Sequence, residues 1–393
     1  MRYRRLLPMA ALLGPTLVAC QLLVGINDEG VARPDAALAS PDAGLDVAFD
    51  DPCKKLHPPP RPNDSELPTQ PDRPRLAFGI RTVRLRPNGM VIGYDLDDRC
   101  TGDTTSTTSG APCRSLKLPG GPADDPFGVD NAFAKEVVAN IFFKEGVDDP
   151  LAVRLTSQIS DGQRTVLVVL SDYNGEKNDG EVHLGLVPSE GLQSVGCDGG
   201  VPADAGADAG ALVPKWDGCD QWSYVPGTVV GGVAPSQVSA GYVKDNVLVI
   251  DWRALDLDLA FGEVHFPLHE ALLTATIASE RTANGITFAL QEGIVTGRVG
   301  SADLINAAGR FYRSVVCGQP GIAVLLSQYA CNARDLPLLR SDDGRDTTCN
   351  AVSFSLGFEA SPARLGTEGV PPQSGECAGL DTRCPEERDA TAD

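Results

Sequence analysis

The stretch AVSFSLGFEA, residues 351–360, places the tightest constraint on the fold. Val352, Phe354, Leu356 and Phe358 take alternate positions, and Ser353, Ser355, Gly357 and Glu359 take the others. Successive side chains point to opposite faces in a strand but not in a helix, so this period of two demands a strand with one apolar and one wet face. Leu255, Leu257, Leu259 and Phe261 repeat the pattern against Asp256 and Asp258. RTVLVVLSDY is apolar without a break, the mark of a strand covered on both faces, and GEVHLGLVPSEG pairs with it across the NGEKNDG turn. FGIRTVRLRPNGMVIGYDLD reads as two β runs about a PNG turn, and ITFALQEGIVTGRV adds another.

Helical signals are fewer. In GVDNAFAKEVVANIFFKEG, Phe133, Val137, Val138, Ile141 and Phe142 recur at helical spacing, with Asp130 placed to cap the start and Gly146 to end it. Asp149 as N-cap with Pro150 in the first turn opens a second helix, which carries Leu151, Leu155 and Ile159 on one stripe and stops at Gly162. One more starts at Ser301 with the stripe Leu304, Ile305, Ala308, Phe311, Tyr312 and Val315, and another covers GIAVLLSQYAC. The predicted fold is a β-rich α+β domain, a largely antiparallel sandwich with two helical pairs packed against it. Two β-rich subdomains joined near residues 197–219 are the alternative.

Arg2, Arg4 and Arg5 precede an apolar run, Leu6 to Val18, which Pro8, Gly14 and Pro15 interrupt. The run is shorter than the roughly 20 apolar residues that span a bilayer, and its layout is that of a secretory signal. The closing tetrad Leu-Val-Ala-Cys resembles the lipobox of bacterial lipoproteins. That resemblance implies diacylation of the Cys20 thiol, cleavage before it and acylation of the new amino group, an anchor beyond the two signals that stable attachment requires. An aspartate after the cysteine marks inner-membrane retention in such lipoproteins; Gln21 stands there instead, which points to the outer membrane. The expected layout is a signal peptide at 1–19, a disordered Pro/Ala/Asp-rich tether at 20–75, a globular domain at 76–366 with a low-complexity insertion at 198–218, and an acidic tail at 367–393.

Eleven cysteines are an odd number for an exported chain. With Cys20 given to lipid, the rest form an even set suited to disulfides in an oxidising compartment. No C-x-x-C pair offers itself to zinc. Short loops favour Cys100 with Cys113, Cys197 with Cys219, and Cys377 with Cys384. The chain carries 53 acidic against 33 basic residues and no basic stripe, so nucleic acid is not an expected partner.

The motifs of serine hydrolases, zinc proteases, P-loops and dinucleotide folds are absent from the sequence. Its best candidate site is acidic. Asp95 and Asp97 share one face of a predicted strand, Asp98 and Asp103 follow, and Asp124, Asp125 and Asp130 stand before the first helix. Hard oxygen donors at close spacing are what calcium uses, which makes Asp95, Asp97 and Asp130 the candidate calcium ligands. The same aspartates also fit turns and caps that accept backbone N–H groups. His265 and His269 flank Pro267, which argues for a strand; at about 3.3 Å per residue they lie roughly 13 Å apart, too far for one zinc ion. Asp256 with Asp258 offers a carboxylate pair of the kind that hydrolyses glycosides, or a solvated strand face. Trp216, Trp222 and Tyr224 flank Cys219, either as an exposed stacking platform or as the seal of a loop base.

GYDLDDRCT, GVDNAF, GIVTGRVGSADL and CNAVSFSLGFEASPARLG resemble segments of a group of uncharacterised lipoproteins from high-GC Gram-negative bacteria, over roughly Leu76 to Gly366. The group lends no activity. Three functions remain open at this point: a non-catalytic, membrane-anchored extracytoplasmic lipoprotein that binds or scaffolds, a calcium-dependent adhesion or glycan-binding module, and a carboxylate-type hydrolase. The membrane, reached through the N-terminal lipid, is the one partner expected in all three.

Overall fold

A computed structural model describes residues 56–68, 70–86, 92–101, 111–115, 123–141, 149–197, 212–232, 234–252, 256–262, 264–282, 285–311, 320–370 and 380–384. The first strands are β1 (Leu76–Arg84), β2 (Thr165–Ser171), β3 (Asp179–Ser189), β4 (Leu192–Ser194) and β5 (Gln221–Tyr224). A small ribbon, β6 (Val229–Val230) and β7 (Ala234–Pro235), precedes β8 (Ser239–Lys244), β9 (Val247–Trp252) and β10 (Leu257–Phe261). Two long strands, β11 (Val264–Thr282) and β12 (Gly285–Gly300), lead to β13 (Ala351–Pro362) and β14 (Arg364–Glu368). Helices α1 (Pro150–Ser160), α2 (Ser301–Phe311) and α3 (Pro320–Asn332) fill the two long crossings between strands. No helix among the described residues is long and apolar enough to cross a membrane.

The chain is β-rich α+β, and its two β layers are one antiparallel sheet closed on itself. Pairing runs β1–β2–β3–β8–β9–β11–β12–β13 and returns from β13 to β1, each pair antiparallel. Order around the ring is chain order, an up-and-down barrel of eight strands, with β10 hung on the start of β11. Closure removes the unpaired edges that an open sheet would expose. An eight-stranded barrel has an interior just wide enough for side chains to fill. Here paired residues converge on it: Leu170 with Leu184, Ile250 with Leu273, Val295 with Leu356, and Val83 with Phe358. These side chains are 4% exposed or less. The described residues group into one compact unit, which leaves no division into two subdomains.

Strand β2 shows why its sequence is unbroken. Val166, Val168 and Leu170 face the barrel core, while Leu167 and Val169 face a second cluster with Val187, Trp222, Tyr224 and Ala363. A small sheet in the order β14–β5–β4 carries that second cover. The expected wet face of β13 is also covered. Ser353 and Ser355 are fully buried, because residues 130–132 and Asp335 lie against them with polar rather than apolar groups.

Three boundaries move. The expected tether is docked from Leu56 onward: the Tyr242 hydroxyl donates to the Pro59 carbonyl at 2.5 Å, Arg61 lies over the Tyr242 ring, Lys244 pairs with Glu66, and Arg73 lies over Phe288. A Pro-rich irregular segment leaves carbonyls without ladder partners, so side chains of the barrel wall capture them. Residues 1–55, with Cys20, lie outside the described residues, as do 198–211 of the insertion. Val213 to Asp217 lead back to the barrel, with Trp216 stacked on Trp222, so the end of the insertion is ordered. The tail returns at 380–384, where Cys384 is fully buried.

The disulfides correct two of three expected pairings. Cys197 bonds Cys219, but Cys113 bonds Cys349 across 236 residues, and Cys384 bonds Cys331 across 53. Cys100 is disulfide-bonded, and not to Cys113; Cys377 lies outside the described residues. Short spacing favours a bridge only where nothing else fixes the chain. Here the chain leading into β13 runs beside the segment at 111–115, where the Arg114 N–H meets the Thr347 carbonyl at 2.7 Å, and the bridge follows tertiary contact.

Candidate functional site

Asp95, Asp97 and Asp130, far apart in sequence, come together. Their carboxylate oxygens lie within 4.8 Å of one another, and the residues are 5%, 6% and 2% exposed. The route differs from the one expected. Residues 92–99 form bends rather than a strand, so the two aspartates do not share a strand face. The chain is instead pinned along the outer wall of β11–β13: the Tyr94 hydroxyl bonds Thr274 Oγ1 at 3.0 Å, and the Asp95 N–H donates to the Leu56 carbonyl at 3.1 Å. Two hydrogen bonds then clamp it to the segment carrying Asp130. Asp130 N–H donates to the Tyr94 carbonyl at 3.1 Å, and Leu96 N–H donates to Asp130 Oδ2 at 2.7 Å.

Asp130 therefore does not cap the first helix. Asn131 Oδ1 takes that role, accepting from Ala134 N–H at 3.2 Å. The helix itself opens with a π turn, Phe133–Val138, which lets Phe133 reach Phe354 and Phe266 at ring separations of 4.8 and 5.7 Å; Phe142 and Gly146 lie outside the described residues. Pro150 and Asp149 act as expected, with Asp149 accepting from Ala152 N–H at 3.3 Å.

Burial dominates the electrostatics. It pushes Asp97 up to about 7, with the Asp95 charge adding to the push, and raises Asp130 well above the ordinary carboxylate range. Asp124 rises to about 8 and Asp335 to about 7, again chiefly by burial. Asp335 and its partner Ser353, at 2.5 Å, extend the acidic region along β13. One buried cation stands nearby. Arg298, 1% exposed, donates to both Asp343 oxygens at 2.6 Å and to the Pro337 and Leu96 carbonyls. Sequence reasoning missed Arg298 and Asp335. The signal was there in the first case, since a lone arginine inside the apolar run GIVTGRVG has to find an anion once buried.

A second grouping shares Asp95 with His57 and Asp98, both about half exposed. Asp98 is already engaged by Arg340 and lies 3.6 Å from His57. A cavity of about 80 Å³ touches His57, Tyr94, Asp95, Glu270, Arg298 and Arg340. The other sequence candidates are accounted for locally. His265 and His269 sit on β11 and bond Asp258 and Asp256 at 2.8 and 2.7 Å. Each carboxylate proposed for hydrolysis thus has a histidine partner. Cys197 and Cys219 approach Asp217 but are spent on each other. Trp222 is fully buried and stacked on Trp216, so the aromatics at Cys219 seal the loop base.

Compared with protein-family models, curated proteins and solved structures, the chain finds no match.

Proposed function

We propose that the chain is a membrane-anchored extracytoplasmic lipoprotein with a non-catalytic role, a rigid barrel held out from the membrane to bind or scaffold a partner. The observation that carries this reading is the Leu-Val-Ala-Cys tetrad at 17–20, set ahead of a Pro-rich segment and a disulfide-bonded globular part. Disulfides joining distant segments suit an oxidising compartment outside the cytoplasm. A glycan-bridging role is less well supported. A calcium ion that holds a sugar must offer it an open coordination position, whereas Asp95, Asp97 and Asp130 are all buried. A hydrolase is less well supported still, because Asp256 and Asp258 are each held by a histidine.

Replacing Cys20 tests the anchor. Cys20→Ser should abolish acyl labelling, leave the precursor uncleaved and release the protein from the outer-membrane fraction. A mutant that keeps normal membrane retention without any acyl label would refute the reading.

A further inference from the structure

We infer that Asp95, Asp97 and Asp130 form a structural calcium site that ties the segment at 92–99 to the segment at 123–131 on the outer wall of the barrel. This inference does not depend on the lipid anchor. Three observations carry it. The first is geometry: ligand oxygens within 4.8 Å of one another fit the span of two calcium–oxygen bonds of about 2.3–2.6 Å. The second is an orphaned acceptor. Asp97 Oδ1 accepts from Arg99 N–H at 2.8 Å, but Oδ2 of the same buried side chain has no hydrogen-bond partner. A buried carboxylate oxygen without a donor is costly, and a cation between the three residues would satisfy it. The third is the close approach of Gly128 to Asp95. Gly128 has φ +69°, and a Cβ there would meet Asp95 Oδ2 and the Arg99 carbonyl, each at 3.1 Å. A larger residue would crowd Asp95 Oδ2 there.

The charge around the three residues calls for neutralisation. Asp124 and Asp335 bring further acidic groups into the same buried region and push Asp130 up, and the nearby Arg298 is already paired end-on with Asp343. The donor set is oxygen alone, with no imidazole or thiolate among the three, which favours a hard cation over zinc or copper.

The test uses the full-length, detergent-solubilised protein and calcium chloride as the probe. Calorimetric titration should show about one calcium per chain at submillimolar concentration. Melting temperature should rise by about 5 °C or more in hundredfold excess over Kd, relative to chelator. Asp97→Asn should lose the saturable binding and the melting response, yet melt higher than wild type in chelator, because one buried like charge is gone. Asp98→Asn should keep the binding, since Asp98 belongs only to the exposed grouping with His57. Should Asp97→Asn fail to fold, the wild-type titration and melting pair still decide. Absence of saturable calcium binding with identical melting curves in calcium and chelator would overturn the site, and so would wild-type binding by Asp97→Asn or loss of binding in Asp98→Asn alone.

Discussion

Arg298→Met is expected to be among the most damaging single substitutions on the barrel wall. The guanidinium is 1% exposed and makes four hydrogen bonds: two to Asp343 at 2.6 Å, one to the Pro337 carbonyl at 2.9 Å and one to the Leu96 carbonyl at 3.1 Å. It thereby joins β12 to the segments at 92–98 and 335–343. Removing it strands the Asp343 carboxylate, whose side chain is only 10% exposed. Breaking a buried ion pair by deleting one partner costs about 3–5 kcal/mol, far more than the pair's net contribution, because the remaining charge keeps its desolvation penalty. Replacing both partners should then restore much of the loss. Arg298→Met/Asp343→Leu is expected to lie within about 1–2 kcal/mol of wild type, a coupling at the upper end of those seen between contacting residues. Arg298→Lys should fall between, since an ammonium cannot reproduce the planar fork that reaches a carboxylate and two carbonyls at once. Urea unfolding with calcium held constant measures this, read as midpoint shifts at unchanged slope. A single-mutant loss below about 1 kcal/mol, or strictly additive losses in the double mutant, would refute the assignment of Arg298 as the counter-charge of this wall.

Trp222→Ala should cost about 3–5 kcal/mol by opening the cluster over Leu167 and Val169; a midpoint shift under 1 kcal/mol in the same urea assay would show that the small sheet is not a cover for β2. For pH, Asp124 and Asp335 have folded pKa values of about 8 and 7, above the unfolded carboxylate value of about 3.9. Their folded forms bind protons more tightly than the unfolded chain does, so their contribution is fully present below about pH 4 and is lost as pH rises through 7 to 8. In chelator the melting temperature should therefore fall between pH 5.5 and 8.5, by calorimetry at constant ionic strength, and a rise over that range would contradict the burial of these groups.

Local chemistry was legible in the sequence, and long-range closure was not. The unbroken run of β2, the alternation of β10, and Asp149 with Pro150 at the start of α1 each follow from side chains within a few residues. Pairing of β13 with β1 does not, because the two strands are separated by most of the chain and no local signal specifies the register Val83 with Phe358. The disulfides are hidden for the same reason. A bridge between Cys113 and Cys349 becomes geometrically possible only after the barrel closes, so loop length pointed to the wrong partners. The alternation of β13 gave the right strand and the wrong environment, since serine marks a polar face without saying whether water or backbone supplies the hydrogen bonds. Docking of residues 56–75 was illegible because composition argues against a core and is silent on Pro59 meeting Tyr242.

The two sequence readings of the aspartates, turn and cap residues or cation ligands, do not exclude each other. The seam where residues 92–101, 123–131 and 335–343 meet is irregular backbone, and its N–H groups have few ladder partners. An apolar side chain would leave those donors buried and unmet. Aspartate meets them: Asp97 accepts from Arg99, Asp124 from Thr101, Asp130 from Leu96 and Asp335 from Ser353. Each bond is local, but the carboxylates that make them have to share one low-dielectric region, where their charges repel. Satisfying the backbone thus creates the electrostatic problem. Asp97 shows both halves of it on one side chain, with Oδ1 on a backbone donor and Oδ2 buried without one. A divalent cation resolves the repulsion without giving up a single one of those backbone bonds, whereas substitution by asparagine or serine would relieve the charge and weaken the acceptors. That difference is why the seam can be built from aspartates, and why its order should depend on the ion.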